Sequence, residues 1–185
     1  MLQELSLNIL DIASNSIRAG ADLIEITIEV CRDRDSLTIE IKDNGCGMTK
    51  EQLIQVEDPF FTTRTTRKVG LGVPFFKMAA LSTGGRFDIS SAPGEGTRVR
   101  AVFVLSHIDR MPLGDINSTI HTLITTNTQI DFVYTYSFDD KQFTLDTRQF
   151  RAILGGIPLD SPEVSAYIRE FLDENKNCTD DGYQL

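Results

Sequence analysis

The spacing of hydrophobic residues changes several times along this chain, and each change marks an element. From Leu2 to Ala19 the apolar residues Leu5, Ile9, Leu10, Ile12, Ala13 and Ile17 recur at three- and four-residue intervals. That is the signature of an amphipathic helix, which Gly20 ends. Leu23, Ile24, Ile26, Ile28 and Val30 then form a β-rich run, the charged turn R-D-R-D-S follows, and Leu37, Ile39 and Ile41 alternate with polar residues. This predicts a two-stranded hairpin. Thr49 caps a short helix through Val56, with Gln52 three residues on, as in a capping box. Val73 to Ser82 reads as a helix that tolerates Pro74 because it falls in the first turn. Arg86 to Ser91 and Thr97 to Leu105 read as strands joined by the turn Ala92-Pro93-Gly94-Glu95-Gly96. The order over the first 105 residues is therefore α-β-β-α-α-β-β.

Beyond Leu105 the pattern predicts a helix from Asp115 to Thr126 and a hairpin from Ile130 to Leu145 turning at Asp139-Asp140. Helices at Thr147 to Leu154 and Ser161 to Glu174 follow, and the final C-T-D-D-G-Y-Q-L reads as a frayed tail. The expected division is a domain at 1–105 and a small α+β extension at 106–185, a candidate for dimerisation or partner docking. In the extension's first helix, Ile116, Ile120, Leu123 and Ile124 form one apolar stripe suited to pairing with a second copy.

With 185 residues, 41% of them hydrophobic and 24% charged, the chain has the composition of a folded globular protein and not of a fibrous or disordered one. Its net charge of −9 argues against nucleic acid or an anionic membrane as partner. The acidity is concentrated late: residues 1–105 carry 12 basic and 14 acidic side chains, residues 106–185 carry 6 and 13. Cys31, Cys46 and Cys178 are odd in number and lack metal-ligand spacing, as expected of reduced thiols. The first residues carry acids instead of a basic leader, and no apolar run reaches 18 residues, so the expectation is a cytoplasmic protein without a membrane span.

Four short segments carry candidate chemistry: D-I-A-S-N-S at Asp11 to Ser16, D-N-G-C-G-M at Asp43 to Met48, D-P-F-F-T-T-R at Asp58 to Arg64, and G-L-G-V at Gly70 to Val73. On the first helix Asp11 and Asn15 are four residues apart, so both face one hydrated cation, and Arg18 falls near the same face within reach of phosphate oxygens. In the second segment Asp43 ends a strand and can accept a hydrogen bond from an exocyclic amine, while Gly45 and Gly47 let the backbone pass close to a planar ligand beside Met48. Phe60 and Phe61 read as core anchors. Thr62, Thr63, Arg64 and the residues up to Lys68 form a cationic strip. Gly70, Leu71 and Gly72 then open onto a helix N-terminus, where backbone amides attract anions.

Taken in order, these segments resemble the GHKL superfamily of ATP-binding domains, which includes DNA gyrase B, the Hsp90 chaperone, histidine kinases and MutL. G-E-G-T at Gly94 to Thr97 is similar to the element that closes the same pocket. The resemblance implies the two-layer α/β sandwich known as the Bergerat fold, with ATP as ligand. It places Mg²⁺ on Asn15, adenine N6 on Asp43 with Thr97 behind it, and the phosphates under a lid from Thr62 to Gly72. Asp11 stands where hydrolysing members carry a glutamate general base, and this aspartate is shorter by one methylene. The wording is nearest to the catalytic domains of bacterial sensor histidine kinases.

His107-Ile-Asp-Arg-Met-Pro-Leu113 resembles the phosphoacceptor segment of those kinases at His107, Arg110, Pro112 and Leu113, although here it follows the ATP-binding region. His107 is therefore a candidate phosphoacceptor, although a short match of this kind more often marks a linker residue. Three outcomes for the γ-phosphate stay open: transfer to His107 or a partner protein, hydrolysis driving a dimer switch, or binding of ATP and ADP without turnover, as in an anti-sigma-like sensor.

Overall fold

The computed structural model of the protein describes residues 4–56 and 72–185. Helix α1 (Leu5–Arg18) buries Leu5, Ile9, Ile12, Ala13 and Ser16 and turns Leu7, Asp11 and Arg18 outward. It leads through a tight turn, with Gly20 at φ 72°, into β1 (Leu23–Cys31) and β2 (Ser36–Asp43), which pair antiparallel from Ile24–Asp43 to Cys31–Ser36. Helix α2 (Lys50–Val56) is closed by the expected capping box: the Thr49 amide donates to Gln52 Oε1 at 2.9 Å and the Gln52 amide to Thr49 Oγ1 at 3.3 Å. Helix α3 (Gly72–Ser82) precedes the antiparallel pair β3 (Arg86–Ala92) and β4 (Gly96–Val104).

The second half builds onto the same sheet. Helix α4 (Ile116–Thr126) is capped by Asp115, whose carboxylate accepts from the Ser118 amide. Strands β5 (Asp131–Phe138) and β6 (Lys141–Asp146) form the expected hairpin with Asp139 at φ 51°, and α5 (Thr147–Leu154) and α6 (Pro162–Asp180) follow. Strand β5 lies parallel to β1, in register from Leu23–Asp131 to Val30–Phe138, giving one six-stranded sheet of order β3-β4-β2-β1-β5-β6. Residues 106–185 thus extend the sheet across position 105.

The helices cover one face of that sheet, which is why its strands alternate buried apolar with polar residues. Ile24, Ile26, Ile28 and Val30 of β1 sit beside Phe132, Tyr134, Tyr136 and Phe138 of β5, in a single core that includes residues from both halves. Each fully buried isoleucine contributes about 1.5–3 kcal/mol. The opposite face is polar, with Glu40 between Arg98 and Arg100, and Lys42 beside Glu25.

Two expectations are corrected here, on the α4 stripe and on the C-terminal tail. The α4 stripe of Ile116, Ile120, Leu123 and Ile124 is buried within the chain, where α4 packs against α1 and α6, and so is not free to pair with a second copy. His121 is buried, with Nε2 2.9 Å from Ser165 Oγ. The C-terminal segment is not frayed: α6 continues to Asp180, whose buried carboxylate accepts from the Tyr136 hydroxyl at 2.9 Å and from Lys176 Nζ at 2.6 Å. The Leu113 amide donates to the Leu185 carbonyl at 3.0 Å.

Candidate functional site

A cavity of about 420 Å³ opens at the end of the sheet where β2 finishes and β4 begins. That is within the range of small-molecule sites. Its apolar walls come from Ile12, Ile41, Val73, Ile89 and Val99, and its polar groups from α1, α2 and the loop after β2. An apolar slot with a few fixed polar atoms suits a flat heteroaromatic ligand.

The polar end is organised around Asp43, which is only 7% exposed. Its Oδ1 accepts from the Gly45 amide at 2.9 Å and the Thr97 amide at 3.2 Å, and its Oδ2 accepts from the Ser16 hydroxyl at 2.5 Å. The loop after it is laced on three sides. Asn44 Oδ1 accepts from the Asp22 and Leu23 amides, the Cys46 amide donates to the Ala19 carbonyl, and the Gly94 amide donates to the Cys46 carbonyl. Gly47 sits at φ 66°, and a Cβ there would lie 1.9 Å from the Ala92 carbonyl oxygen, so only glycine fits. Ser91 Oγ takes the Met48 amide at 2.9 Å and lies 2.9 Å from Thr97 Oγ1, tying the β3–β4 turn to the same loop.

Asn15 and Arg18 of α1 line the same cavity, with Arg18 Nη2 donating to Asn15 Oδ1 at 2.5 Å. Asp11, one turn earlier, abuts the start of α3: a Cβ on Gly72 would lie 3.0 Å from Asp11 Cβ and 3.7 Å from its Oδ2. Asn15 and Arg18 thus line one cavity with Asp43, Gly47, Met48 and Thr97, Gly45 is tied to Asp43 by its amide, and Asp11 meets Gly72 at the start of α3. Thr62, Thr63, Arg64, Gly70 and Leu71, with Phe60 and Phe61 and the lid they were expected to form, lie outside the described residues.

His107 is not brought to the cavity. Thr97 and Val104 stand at opposite ends of β4, about 24 Å apart at roughly 3.4 Å per residue, and His107 lies beyond Val104. Its Nδ1 accepts from the Asp109 amide at 3.1 Å within a turn. The linker reading fits this position, and transfer from the cavity to His107 of the same chain does not.

Two residues that hold the site together were missed. Ser16 occupies a position of the buried α1 stripe where an apolar residue is the rule, and a polar side chain there is a signal of a specific partner. Ser91 carries no such signal, because its role depends on the β3–β4 register.

The oxygen donors present fit Mg²⁺. Asn15 offers an amide oxygen and Asp11 a carboxylate, and no group of three or more His, Cys, Asp or Glu that could hold a metal occurs among the described residues. Mg²⁺ typically takes one or two protein oxygens and fills the rest of its shell with phosphate and water.

The sheet order and the single helical layer are those of a two-layer α/β domain, with a small-molecule cavity built on D-N-G-C-G. Residues 1–107 match the family model described as histidine kinase-, DNA gyrase B-, and HSP90-like ATPase, and the chain belongs to that family. Among similar proteins, sensor histidine kinase YxdK of Bacillus subtilis (strain 168) is 31% identical over 98 residues, which cover 50% of this chain and 30% of that protein. Sensor protein kinase FleS of Pseudomonas aeruginosa is 34% identical over 108 residues, 58% of this chain and 26% of that protein. The first curated relatives are thus matched over 13 to 30% of their own length. In fold, the Aquifex aeolicus MutL ATPase domain complexed with ADP aligns with a TM-score of 0.51 and 13% identity, over 84% of this chain and 70% of that one. The likeness shows the GHKL fold. Among the described residues no helix is long and apolar enough to cross a membrane.

Proposed function

We propose that this chain binds MgATP in the cavity and hydrolyses it, with Asp11 activating the attacking water. The observation that carries the reading is the cavity that Asn15, Arg18 and Asp43 line together, with Asp11, one turn before Asn15 on α1, against the start of α3. In this reading Asp43 Oδ2 accepts from the exocyclic amine of adenine, and the glycines after it let the base lie against the backbone. Asn15 would hold Mg²⁺ through its amide oxygen, which leaves the Asp11 carboxylate free as a base, and Arg18 turns from Asn15 toward the phosphates. Bound Mg²⁺ neutralises the charge that develops on the phosphate oxygens. Asp11 takes the proton of a water whose oxygen bonds to the γ-phosphorus while the bond to the bridging oxygen breaks, releasing ADP and phosphate. A partner protein or a second copy would then read the nucleotide state.

The test is incubation of the full chain with ATP labelled at the γ-phosphate, alongside Asp11→Asn and His107→Ala. Free labelled phosphate that Asp11→Asn abolishes and His107→Ala spares supports the reading. Label retained on the protein overturns hydrolysis in favour of transfer, and bound nucleotide with neither product overturns it in favour of a sensor.

A further inference from the structure

We infer that Ser16 is a positioning residue that aims Asp43 at a 6-amino purine, and that it thereby sets base selectivity. The inference rests on the reading that Asp43 meets the exocyclic amine. Ser16 is 3% exposed on α1, and its hydroxyl reaches Asp43 across 27 positions of sequence to donate at 2.5 Å. A carboxylate has about four acceptor positions. Both positions on Oδ1 are taken by the Gly45 and Thr97 amides, and one on Oδ2 is taken by Ser16. One acceptor position on Oδ2 is left for the cavity.

Ser16 also fixes the polarity of that edge. A hydroxyl has one proton, here committed to Oδ2, so toward the cavity it presents lone pairs alone. Asp43 and Ser16 together form an acceptor-only edge that accepts one N–H donor. A 6-amino purine supplies it. A 6-oxo purine brings its own acceptor against theirs and is rejected, because buried polar groups left unpaired are costly. Among the described residues Ser16 alone engages Oδ2, so its removal leaves that oxygen to water and to neighbouring donors.

The experiment is titration calorimetry of the full chain in Mg²⁺ with ATP, with the analogue bearing hydrogen at purine position 6, and with inosine triphosphate. Wild type, Ser16→Ala and Ser16→Thr are compared. The wild type is expected to bind ATP at least about tenfold more tightly than the 6-hydrogen analogue. In Ser16→Ala that ratio falls several-fold toward one and discrimination against inosine triphosphate narrows, while Ser16→Thr, which keeps the hydroxyl, restores both. Equal weakening of ATP and the 6-hydrogen analogue by Ser16→Ala, or an unchanged ratio, overturns the inference and leaves Ser16 a packing residue. A wild type that binds ATP and its 6-hydrogen analogue equally instead refutes the placement of adenine on Asp43. The Ser16→Ala ratio decides the matter even where Ser16→Thr is too bulky to fold.

Discussion

Replacing Asp43 by asparagine separates its part in binding from its part in folding. Alanine at this position would orphan three donors, the Ser16 hydroxyl and the Gly45 and Thr97 amides. Each orphaned donor costs about 1–3 kcal/mol, against a total stability of about 5–15 kcal/mol, so lost binding would be hard to tell from lost structure. Asparagine keeps an oxygen for the two amides, and its NH₂ lies against Ser16 Oγ, which can accept instead of donate. What changes is the edge facing the cavity, where a donor now meets the exocyclic amine of adenine. Losing a hydrogen bond to a charged group costs about 1.5–3 kcal/mol, and the new donor–donor contact takes the loss to the upper end. ATP affinity should therefore fall about a hundredfold, since about 1.4 kcal/mol is tenfold. Inosine triphosphate, whose O6 accepts, should bind Asp43→Asn more tightly than it binds wild type. Calorimetry with both nucleotides, at matched melting temperature, measures this. ATP affinity within threefold of wild type, or equal loss for both nucleotides, would refute the reasoning.

Further outcomes follow from other parts of the structure. Asp11→Asn should abolish phosphate release while leaving ATP affinity within a few-fold, read by a phosphate-release assay beside calorimetry. Gly96→Ala should destabilise by about 3 kcal/mol and lower the melting temperature by about 6–12 °C, because Gly96 sits at φ 86° and its Cβ would lie 1.9 Å from the Asp43 carbonyl oxygen. Burial, followed by the charge of Asp180, raises the Tyr134 hydroxyl above its ordinary pKa. For Tyr136 the causes are burial and then its hydrogen bond to Asp180. The unfolded chain releases these protons from about pH 10 while the folded chain retains them, so stability should fall as pH rises past about 10. Tyr134 Oη has no hydrogen-bond partner among the described residues. Tyr134→Phe should therefore be neutral or stabilise by about 1 kcal/mol at pH 7 and flatten the alkaline decline, as urea unfolding at several pH values would show.

Local chemistry was legible in the sequence wherever one element decides its own form. The α1 periodicity, the Thr49–Gln52 capping box and the two-residue turn at Asp139-Asp140 each depend on residues a few positions apart, and each stands as expected. The resemblance pointed to Asn15 and Asp43, which line one cavity, because the segments are short and their order is distinctive. What could not be read were choices made between distant elements. The parallel pairing of β5 with β1 depends on the free edge of β1, and nothing in the Ile130–Leu145 hairpin names that edge. Tyr136 fixes the end of α6 through Asp180, a hydrogen bond between residues 44 positions apart that helical period alone does not reveal. The α4 stripe was visible as apolar, but a stripe alone does not say whether its partner lies within the chain or outside it.

The pairing of β1 with β5 has a consequence for how the chain is made. Residues up to 105 supply four strands and most of the cavity, yet β1 is an inner strand whose second neighbour emerges from the ribosome about a hundred residues later. Until then Ile24, Ile26, Ile28 and Val30 flank an open row of backbone donors and acceptors, the kind of edge that recruits other chains. The start of α1 waits as well, since the Leu5 and Ser6 amides donate to the carbonyls of Pro112 and Leu113. The nascent protein thus passes through an interval in which its nucleotide-binding half is complete in sequence but unsealed. Slower synthesis after residue 105 would lengthen that interval and raise the yield of aggregate, and earlier arrival of β5 would shorten it.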